Sequence, residues 1–305
     1  MSKGISEDKI FSKSENESQN KTENKTYVRI EDKTYDEERA LYGLSEIKVL
    51  NCRFDGPADG ESALKECKNI QVENTYFNLR YPMWHNTHLK VYGSKLTDKC
   101  RAALWYCKDV YIENTKMLGI KAVRECKDTV IKNCVIDSPE FGWNTVDLKM
   151  ENTQAAGEYF MFQGKNLEFK NVSLKGKYSF QYIEDSVIEN CNFDTKDAFW
   201  HAKNTVIRNS VIKGEYFSWY SENLTLENCV IEGTQPLCYC KNLKLKDCVM
   251  NNTDLAFEKS MVNGNVISYV ESIKNPKEGC IEVNKLGALI MDSDDANGKV
   301  VVENN

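Results

Sequence analysis

All five tryptophans of this 305-residue chain fall at one phase of a short period. Trp105, Trp143, Trp200 and Trp219 are separated by multiples of 19 residues, and histidine, tyrosine or asparagine follows each tryptophan. Aromatic rings beside polar side chains suit sugars, because rings pack on the apolar face of a sugar while polar groups bond its hydroxyls. The residues predicted to bind carbohydrate are Trp84, Trp105, Trp143, Tyr159, Tyr178, Tyr182, Trp200, Trp219 and Tyr220.

Charged side chains interrupt the aromatic phases and are candidates for acid–base chemistry. A glycosidase needs two carboxyl groups about 5 to 10 Å apart, and a lyase needs a basic side chain beside an anionic sugar. Glu125 and Glu140, on adjacent repeats, could meet the first requirement. The sequence leaves open whether the protein is an enzyme. The residues that could act as acid or base are Glu125, Glu140, Asp197, His201, Arg124 and Lys177.

Cysteine and histidine are too sparsely paired to predict a metal centre. Cys238-x-Cys240 and His85-x-x-His88 are isolated pairs, whereas a closed zinc site needs two such clusters. Nine of the twelve cysteines share two phases of the repeat with small residues, which is typical of core positions. Without a secretion signal these thiols are expected to stay reduced. The sequence therefore predicts no metal, no cofactor and no structural disulfide.

The elements that must position these residues follow from a 19-residue repeat. Its pattern, apolar-x-apolar-x-Asn-small-x-apolar, reads VYIENTKM from Val110, TVIKNCVI from Thr129 and LTLENCVI from Leu224. A fixed short period indicates a solenoid, and alternation within it indicates β-strands. We expect the asparagines to stack at one corner as a ladder of amides. They are Asn51, Asn74, Asn114, Asn133, Asn152, Asn171, Asn190, Asn209 and Asn228.

Three corners divide each repeat into three short strands. Asparagine marks the first corner, glycine marks the next in several repeats, and a Lys-Asn or Lys-Asp pair marks the last, since Asn and Gly tolerate positive φ. A leucine-rich repeat has similar length but needs a helical return, whereas return segments such as EYFSWYSEN are aromatic and β-prone. The pattern predicts an all-β, single-stranded right-handed parallel β-helix of about ten to eleven 19-residue coils with capped ends.

The two aromatic phases are consecutive, so a regular third strand would bury one of them. Burying the tryptophan phase would also bury Lys65 and Arg124, and burying the next phase would bury Glu66 and Glu125. Either choice is costly without partners. We therefore expect an irregular third strand with part of both columns at the surface. An internal aromatic stack that only stabilises the rod is the alternative.

The repeat also suggests four segments along the chain. Residues 1–26 are polar and nearly free of apolar side chains, so we expect them to be disordered. Residues 44–260 form the predicted β-helix. Because the strand edges at both ends of such a rod must be covered, residues 27–43 and 261–305 are expected to be caps, the second with short strands.

Composition argues against several classes of partner. The net charge is −6, and the 40 Lys and Arg residues are spread through the chain, so no concentrated basic face for nucleic acid is expected. No apolar run is long enough to span a membrane, and no signal peptide is recognisable. We therefore expect a cytoplasmic protein that contacts neither nucleic acid nor membrane. The sequence does not indicate an oligomeric state.

The repeat resembles the pectate-lyase-like right-handed β-helix superfamily. Segments such as RYPMWH, SPEFGW, DAFWHAKN and GTQPLCYCKNL are similar to an uncharacterised bacterial family within it. The resemblance covers nearly all of the chain after the N-terminal tail. It implies the fold but no activity, because that family carries no established one.

Two functions fit these patterns. The first is binding of an oligosaccharide, with or without processing, on the aromatic and charged face. The second is a non-catalytic scaffold that binds a protein partner through the same face.

Overall fold

The computed structural model describes residues 27–56 and 60–303, so the predicted disordered tail lies outside the described residues. It shows an all-β chain wound into a parallel β-helix, which confirms the predicted architecture and its coil of about 19 residues. The helix has about 14 turns, more than the ten or eleven predicted.

The first sheet runs the length of the rod and holds the apolar-x-apolar pattern. Its strands pair in parallel, each with the strand one coil away, so that Leu148 lies beside Leu167 and Met150 beside Phe169. These apolar side chains point inward, and the charged residues between them face solvent. The strands confined to this sheet are β1 (Val28–Glu31), β3 (Ser45–Leu50), β5 (Lys68–Glu73), β7 (Thr87–Tyr92), β9 (Lys108–Glu113), β11 (Lys127–Lys132), β13 (Val146–Glu151), β15 (Lys165–Lys170), β17 (Glu184–Glu189), β19 (Lys203–Arg208), β21 (Thr225–Glu227) and β26 (Lys299–Val302).

The second sheet follows each asparagine corner and is made of shorter strands. Pairing is again parallel and one coil apart, with Ala155 beside Leu174 and Phe193 beside Ile212. The strands of this sheet are β2 (Thr34–Tyr35), β4 (Arg53–Phe54), β6 (Tyr76–Phe77), β8 (Lys95–Leu96), β10 (Lys116–Met117), β12 (Val135–Asp137), β14 (Gln154–Glu158), β16 (Ser173–Lys177), β18 (Asn192–Lys196), β20 (Val211–Lys213) and β22 (Val230–Glu232).

Both ends of the rod carry further strands of the same kind. At the N-terminal end β1 pairs in parallel with β3. At the C-terminal end β23 (Leu243–Asn251), β24 (Met261–Lys274) and β25 (Glu278–Ile290) follow one another in parallel and continue past the asparagine corner. The segments expected to act as caps thus contain paired strands, which accounts for the additional turns.

The asparagine corner places its residues in the left-handed conformation, as predicted. Seven members from Asn114 to Asn228 have φ between 49° and 54°. Amide-to-amide hydrogen bonds join Asn171 to Asn152 at 3.0 Å and Asn228 to Asn209 at 3.3 Å. A second ladder runs along the Lys-Asn corner, where Asn204, Asn223 and Asn242 are linked by side-chain bonds of 2.8 Å. Both ladders keep neighbouring coils in register.

The glycine corner is required by close approach between coils. A Cβ atom at Gly176 would collide with the carbonyl oxygen of Gly157, and one at Gly214 would collide with that of Thr195. Gly214 also has φ +139°, a value that other residues rarely adopt. The coils are therefore packed backbone against backbone where the second sheet ends and the third side begins.

The third side of each coil is not a strand, and this part of the prediction was wrong. Every second residue on this side has a left-handed conformation, and Tyr159, Met161 and Gln163 have φ between 53° and 59°. Their N–H groups donate alternately to the next coil and the previous one, Tyr159 to the carbonyl of Lys177 and Met161 to that of Phe141. These bonds offset the cost of left-handed conformations in residues other than glycine.

This backbone decides what the third side buries. Two consecutive residues of each coil point into the core, for example Phe160 and Met161, which are 0% exposed. The next two, Phe162 and Gln163, both lie at the surface. The expectation that both aromatic columns are partly exposed is therefore confirmed, since the chain does not alternate in and out as a strand would.

Candidate functional site

Three columns of side chains cover the outside of the third side. We call them the corner column, the indole column and the Tyr/His column, in chain order within each coil. The corner column includes Tyr159, Tyr178, Asp197 and Tyr216; the indole column includes Lys65, Trp84, Trp105, Arg124, Trp143, Phe162, Gln181, Trp200 and Trp219; the Tyr/His column includes His85, Tyr106, Glu125, Asn144, Gln163, Tyr182, His201, Tyr220 and Tyr239.

The tryptophans of the indole column find their ring contacts and hydrogen-bond acceptors within the protein. The rings of Trp200 and Trp219 stack with centroids 5.3 Å apart and planes within 4°, and Trp84 stacks on Trp105 at 5.0 Å. The Trp200 indole N–H donates to the carbonyl of Tyr216 at 2.8 Å, and the other tryptophans form the equivalent bond. Stacked indoles cover each other's faces. The sequence suggested that sugars pack on these indole rings, but the covered faces are not available for that contact.

Arg124 closes the gap between two groups of indoles. Its guanidinium lies 4.8 Å from the centre of the Trp105 ring and 4.5 Å from that of Trp143. The same group contacts Glu140 at 3.2 Å, and Lys121 contacts that carboxylate at 3.4 Å. Arg124 and Glu140 are therefore engaged in a cation–π sandwich and its ion pairs, an arrangement that stabilises the column.

The Tyr/His column forms a continuous stack of four rings in the C-terminal part of the rod. Tyr182 stacks on His201 at 4.7 Å, His201 on Tyr220 at 5.1 Å, and Tyr220 on Tyr239 at 4.8 Å. Tyr182 is 44% exposed and Tyr220 is 47% exposed. Neither phenol hydroxyl, nor the His201 imidazole, forms a hydrogen bond with a described residue. The stack therefore presents a row of outward ring edges and free polar groups.

The surroundings of His201 favour its neutral form. Partial burial between two rings lowers the pKa of His201, and the nearby Lys203 charge lowers it further. A neutral imidazole offers one hydrogen-bond donor and one acceptor. It therefore matches the dual character of a sugar hydroxyl.

From Tyr159 to Tyr216 the corner column is aromatic except at Asp197, whereas its earlier positions are Tyr81, Ala102, Lys121 and Glu140. Tyr159 and Tyr178 stack at 4.8 Å, and Tyr216 packs edge-on against Trp219 at 5.3 Å. The Asp197 side chain is only 10% exposed, and its closest cation is Lys196, with an Nζ–Oδ2 distance of 3.9 Å. Burial raises the pKa of Asp197, the Lys196 charge opposes that rise, and the Glu215 charge adds to it.

The remaining acid–base candidates are separated from one another. Lys177 pairs with Glu158 at 3.1 Å, and that contact raises the pKa of Lys177, so its amine stays protonated. Glu125 is exposed in the Tyr/His column between Tyr106 and Asn144. Glu140 is held by Arg124 and Lys121, which does not favour the proposed pairing of Glu125 with Glu140. Among the predicted candidates, the structure places Asp197 and His201 in the same coil.

Three residues at this site were not among the predicted ones. Tyr216 and Tyr239 extend the aromatic columns, and each lies 19 residues after or before another column member, so the phase of the repeat could have found them. Lys196 contacts both Asp197 and Glu215, at 3.9 and 3.7 Å. Its role depends on which coils are neighbours, and it carries no separate signal in the sequence.

Cysteines and histidines take no part in a metal centre in the described part of the chain. No group of three His, Cys, Asp or Glu side chains there is placed to hold an ion. All twelve cysteines are free thiols, and eleven are buried. Burial raises the pKa of Cys134 to about 11 and that of Cys229 to about 12, so these thiols stay protonated. The described residues also include no helix able to cross a membrane.

Comparison with known families identifies the chain but not its activity. A family model described as "Protein of unknown function (DUF3737)" matches residues 28–302, so the chain belongs to this family. No curated protein sequence matches it.

Several solved β-helix structures are similar in fold. PfbA, a surface adhesin of Streptococcus pneumoniae, is 10% identical with a TM-score of 0.41, and the match covers 76% of this chain and 70% of that one. The catalytic domain of a GH87 α-1,3-glucanase is 9% identical with a TM-score of 0.46, covering 90% and 63%. The tailspike of E. coli bacteriophage HK620 is 11% identical with a TM-score of 0.44, covering 91% and 72%. At this level the likeness concerns the fold alone.

Proposed function

We propose that this member of the DUF3737 family binds an oligosaccharide along the C-terminal half of its third side. We call this surface the distal face. It comprises Tyr178, Tyr182, Asp197, His201, Tyr216, Tyr220 and Tyr239. The observation that carries the proposal is the exposed stack from Tyr182 to Tyr239, in which ring edges and polar groups recur once per coil.

The spacing of the stack matches a linear glycan. Neighbouring rings are 4.7 to 5.1 Å apart, because each coil advances by one strand separation. An extended oligosaccharide repeats at a comparable distance, because one six-membered ring and one glycosidic oxygen separate successive linkages. A glycan lying parallel to the rod axis would therefore place one sugar beside each coil.

The chemistry of the stack favours neutral, hydroxylated ligands. Phenol hydroxyls and a neutral imidazole each donate and accept hydrogen bonds, as sugar hydroxyls do. The outward ring edges supply apolar contact with the C–H groups of a sugar. The charges nearby are mixed, with Lys196 between Asp197 and Glu215, so no strong field of one sign selects an anion.

Binding of neutral oligosaccharides of increasing length, measured by calorimetry, tests this proposal. We expect Tyr220→Ala to weaken binding about ten-fold, the effect of losing one ring contact and one hydrogen bond. Tyr106→Ala is the matched control, because Tyr106 occupies the same column and stacks on His85 at 4.8 Å, outside the distal face. If none of the neutral oligosaccharides binds the unaltered protein, the proposal is rejected.

A protein partner on the same face is the second candidate. Tyrosine and tryptophan are also enriched where proteins bind one another. A partner protein would bury all three columns together, so Tyr220→Ala would weaken its binding while free oligosaccharides would not compete.

Location in the cytoplasm remains a prediction, and fractionation of producing cells would test it.

A further inference from the structure

Between Tyr159 and Tyr216, the corner column is interrupted by one short side chain. Tyr159 and Tyr178 occupy consecutive coils and stack, and Tyr216 occupies the same column two coils beyond Tyr178. Asp197 stands between them, where the pattern of the neighbouring coils would place a fourth ring. Two coils span about 10 Å, and Tyr178 and Tyr216 form no ring contact with each other. The column therefore has a notch one ring deep.

The walls of this notch are aromatic. Tyr159 covers one face of Tyr178, and the other face is directed toward the Asp197 coil. Tyr216 forms the opposite wall and is held edge-on against Trp219. A flat ring needs about 4 Å to the wall on each side, or about 8 Å between the walls. The available distance of about 10 Å admits one six-membered sugar ring.

The floor of the notch carries a carboxyl group that has no hydrogen-bond donor among the described residues. The Asp197 side chain is nine-tenths buried and forms no hydrogen bond with any described residue. Lys196 lies at 3.9 Å, beyond hydrogen-bond distance, and also contacts Glu215 at 3.7 Å. The Asp197 carboxyl oxygens are therefore free to accept hydrogen bonds from the hydroxyl groups of a ligand.

The indole column also lacks a ring beside the notch. Gln181 takes the place of an indole between Phe162 and Trp200, and its amide donates to the Asp197 carbonyl at 3.0 Å, as an indole N–H would. The coil is therefore stabilised without a ring at that position. Both columns therefore lack a ring at neighbouring positions.

We infer that the notch between Tyr178 and Tyr216 holds one pyranose ring of a neutral oligosaccharide, with the Asp197 carboxyl group bonded to its hydroxyls. This inference rests on the proposed function and names the position and class of one bound sugar. The ring faces of the sugar would meet the two tyrosines, and Lys196 and Glu215 would reach hydroxyls at the rim. The remaining sugars would lie along the Tyr/His column.

Filling the notch with the residue that the column uses elsewhere tests the inference. Asp197→Tyr should fold, because tyrosine occupies this column in the coils on both sides, and it should weaken oligosaccharide binding at least ten-fold. Asp194→Tyr is the matched control, since Asp194 lies exposed in β18 on the second sheet. Calorimetry gives the affinities, and circular dichroism checks that each variant is folded.

Asp197→Asn keeps the shape of the side chain, so it tests the same inference if the tyrosine variant does not fold. Loss of the carboxylate should weaken binding about ten-fold, the usual effect of removing a charged hydrogen-bond acceptor. Unchanged affinity in both Asp197 variants, with Tyr220→Ala still impaired, would overturn the notch and leave the proposed function standing. Absence of oligosaccharide binding in the unaltered protein would overturn both.

Discussion

The two halves of the third side use the same aromatic repeat but complete it differently. In the N-terminal half the indole column is continuous, because the Arg124 guanidinium fills the space between Trp105 and Trp143. In the C-terminal half Gln181 replaces an indole, and Asp197 separates Tyr178 from Tyr216 in the corner column. In the continuous indole column the rings and the guanidinium contact one another. Where the corner column is interrupted, a ring face of Tyr178 and the Asp197 carboxyl group remain available to a ligand.

Trp200→Ala should give the largest effect on stability. The indole stacks on Trp219 and donates to the Tyr216 carbonyl, so its removal should cost about 2 to 4 kcal/mol of unfolding free energy. Urea denaturation would measure this cost. Tyr220→Ala, which removes a neighbouring ring that is 47% exposed, should cost less than about 1 kcal/mol. Equal costs would show that the indole and Tyr/His columns do not differ in role.

Arg124→Ala should have the next largest effect on stability, and the lost contacts all lie in the N-terminal half. Two cation–π contacts are lost, which together contribute about 2 kcal/mol at a partly buried site. Arg124→Lys keeps the charge but loses the planar group, so it should restore only part of the stability. Oligosaccharide affinity should not change in either variant. Weakened binding would show that the two halves are coupled.

The Asp197→Asn variant should show a small, pH-dependent gain in stability. Because the pKa of Asp197 is raised in the folded protein, its favourable contribution is present at low pH and is lost as the pH rises through that pKa. The facing charged and titratable groups are Lys196, Glu215, Tyr178 and Tyr216. Melting temperatures of the two proteins should coincide near pH 3 and differ near pH 7, with the asparagine variant higher. A constant difference across this range would contradict a buried, ligand-free carboxyl group.

Much of the fold could be predicted because the 19-residue phase fixes which side chains share a column. Asn114 to Asn228 identify one corner through their tolerance of positive φ, and the apolar alternation identifies the first sheet. The third side could not be predicted in the same way. Tyr159, Met161 and Phe180 adopt left-handed conformations that their residue types disfavour, and only the hydrogen bonds between coils make these acceptable.

The sequence predicted which residues of the candidate site share a column, but not the orientation of their rings or their burial. Sequence phase placed Trp200, His201 and Tyr220 on neighbouring coils, and the structure keeps them there. It could not show that the indoles cover one another while the Tyr/His edges face solvent, because that depends on ring orientation. The burial of Asp197 was equally hidden, since an aspartate in an aromatic column also fits a solvated rim.

Oxidative footprinting of aromatic side chains, with and without a saturating neutral oligosaccharide, tests the central claim most directly. Hydroxyl radicals modify exposed tyrosine and histidine, so the two halves of the Tyr/His column can be compared in one experiment. We predict that the ligand protects Tyr182, His201 and Tyr220 and leaves His85 and Tyr106 unchanged. Equal protection of both halves, or protection confined to His85 and Tyr106, would contradict a binding site on the distal face.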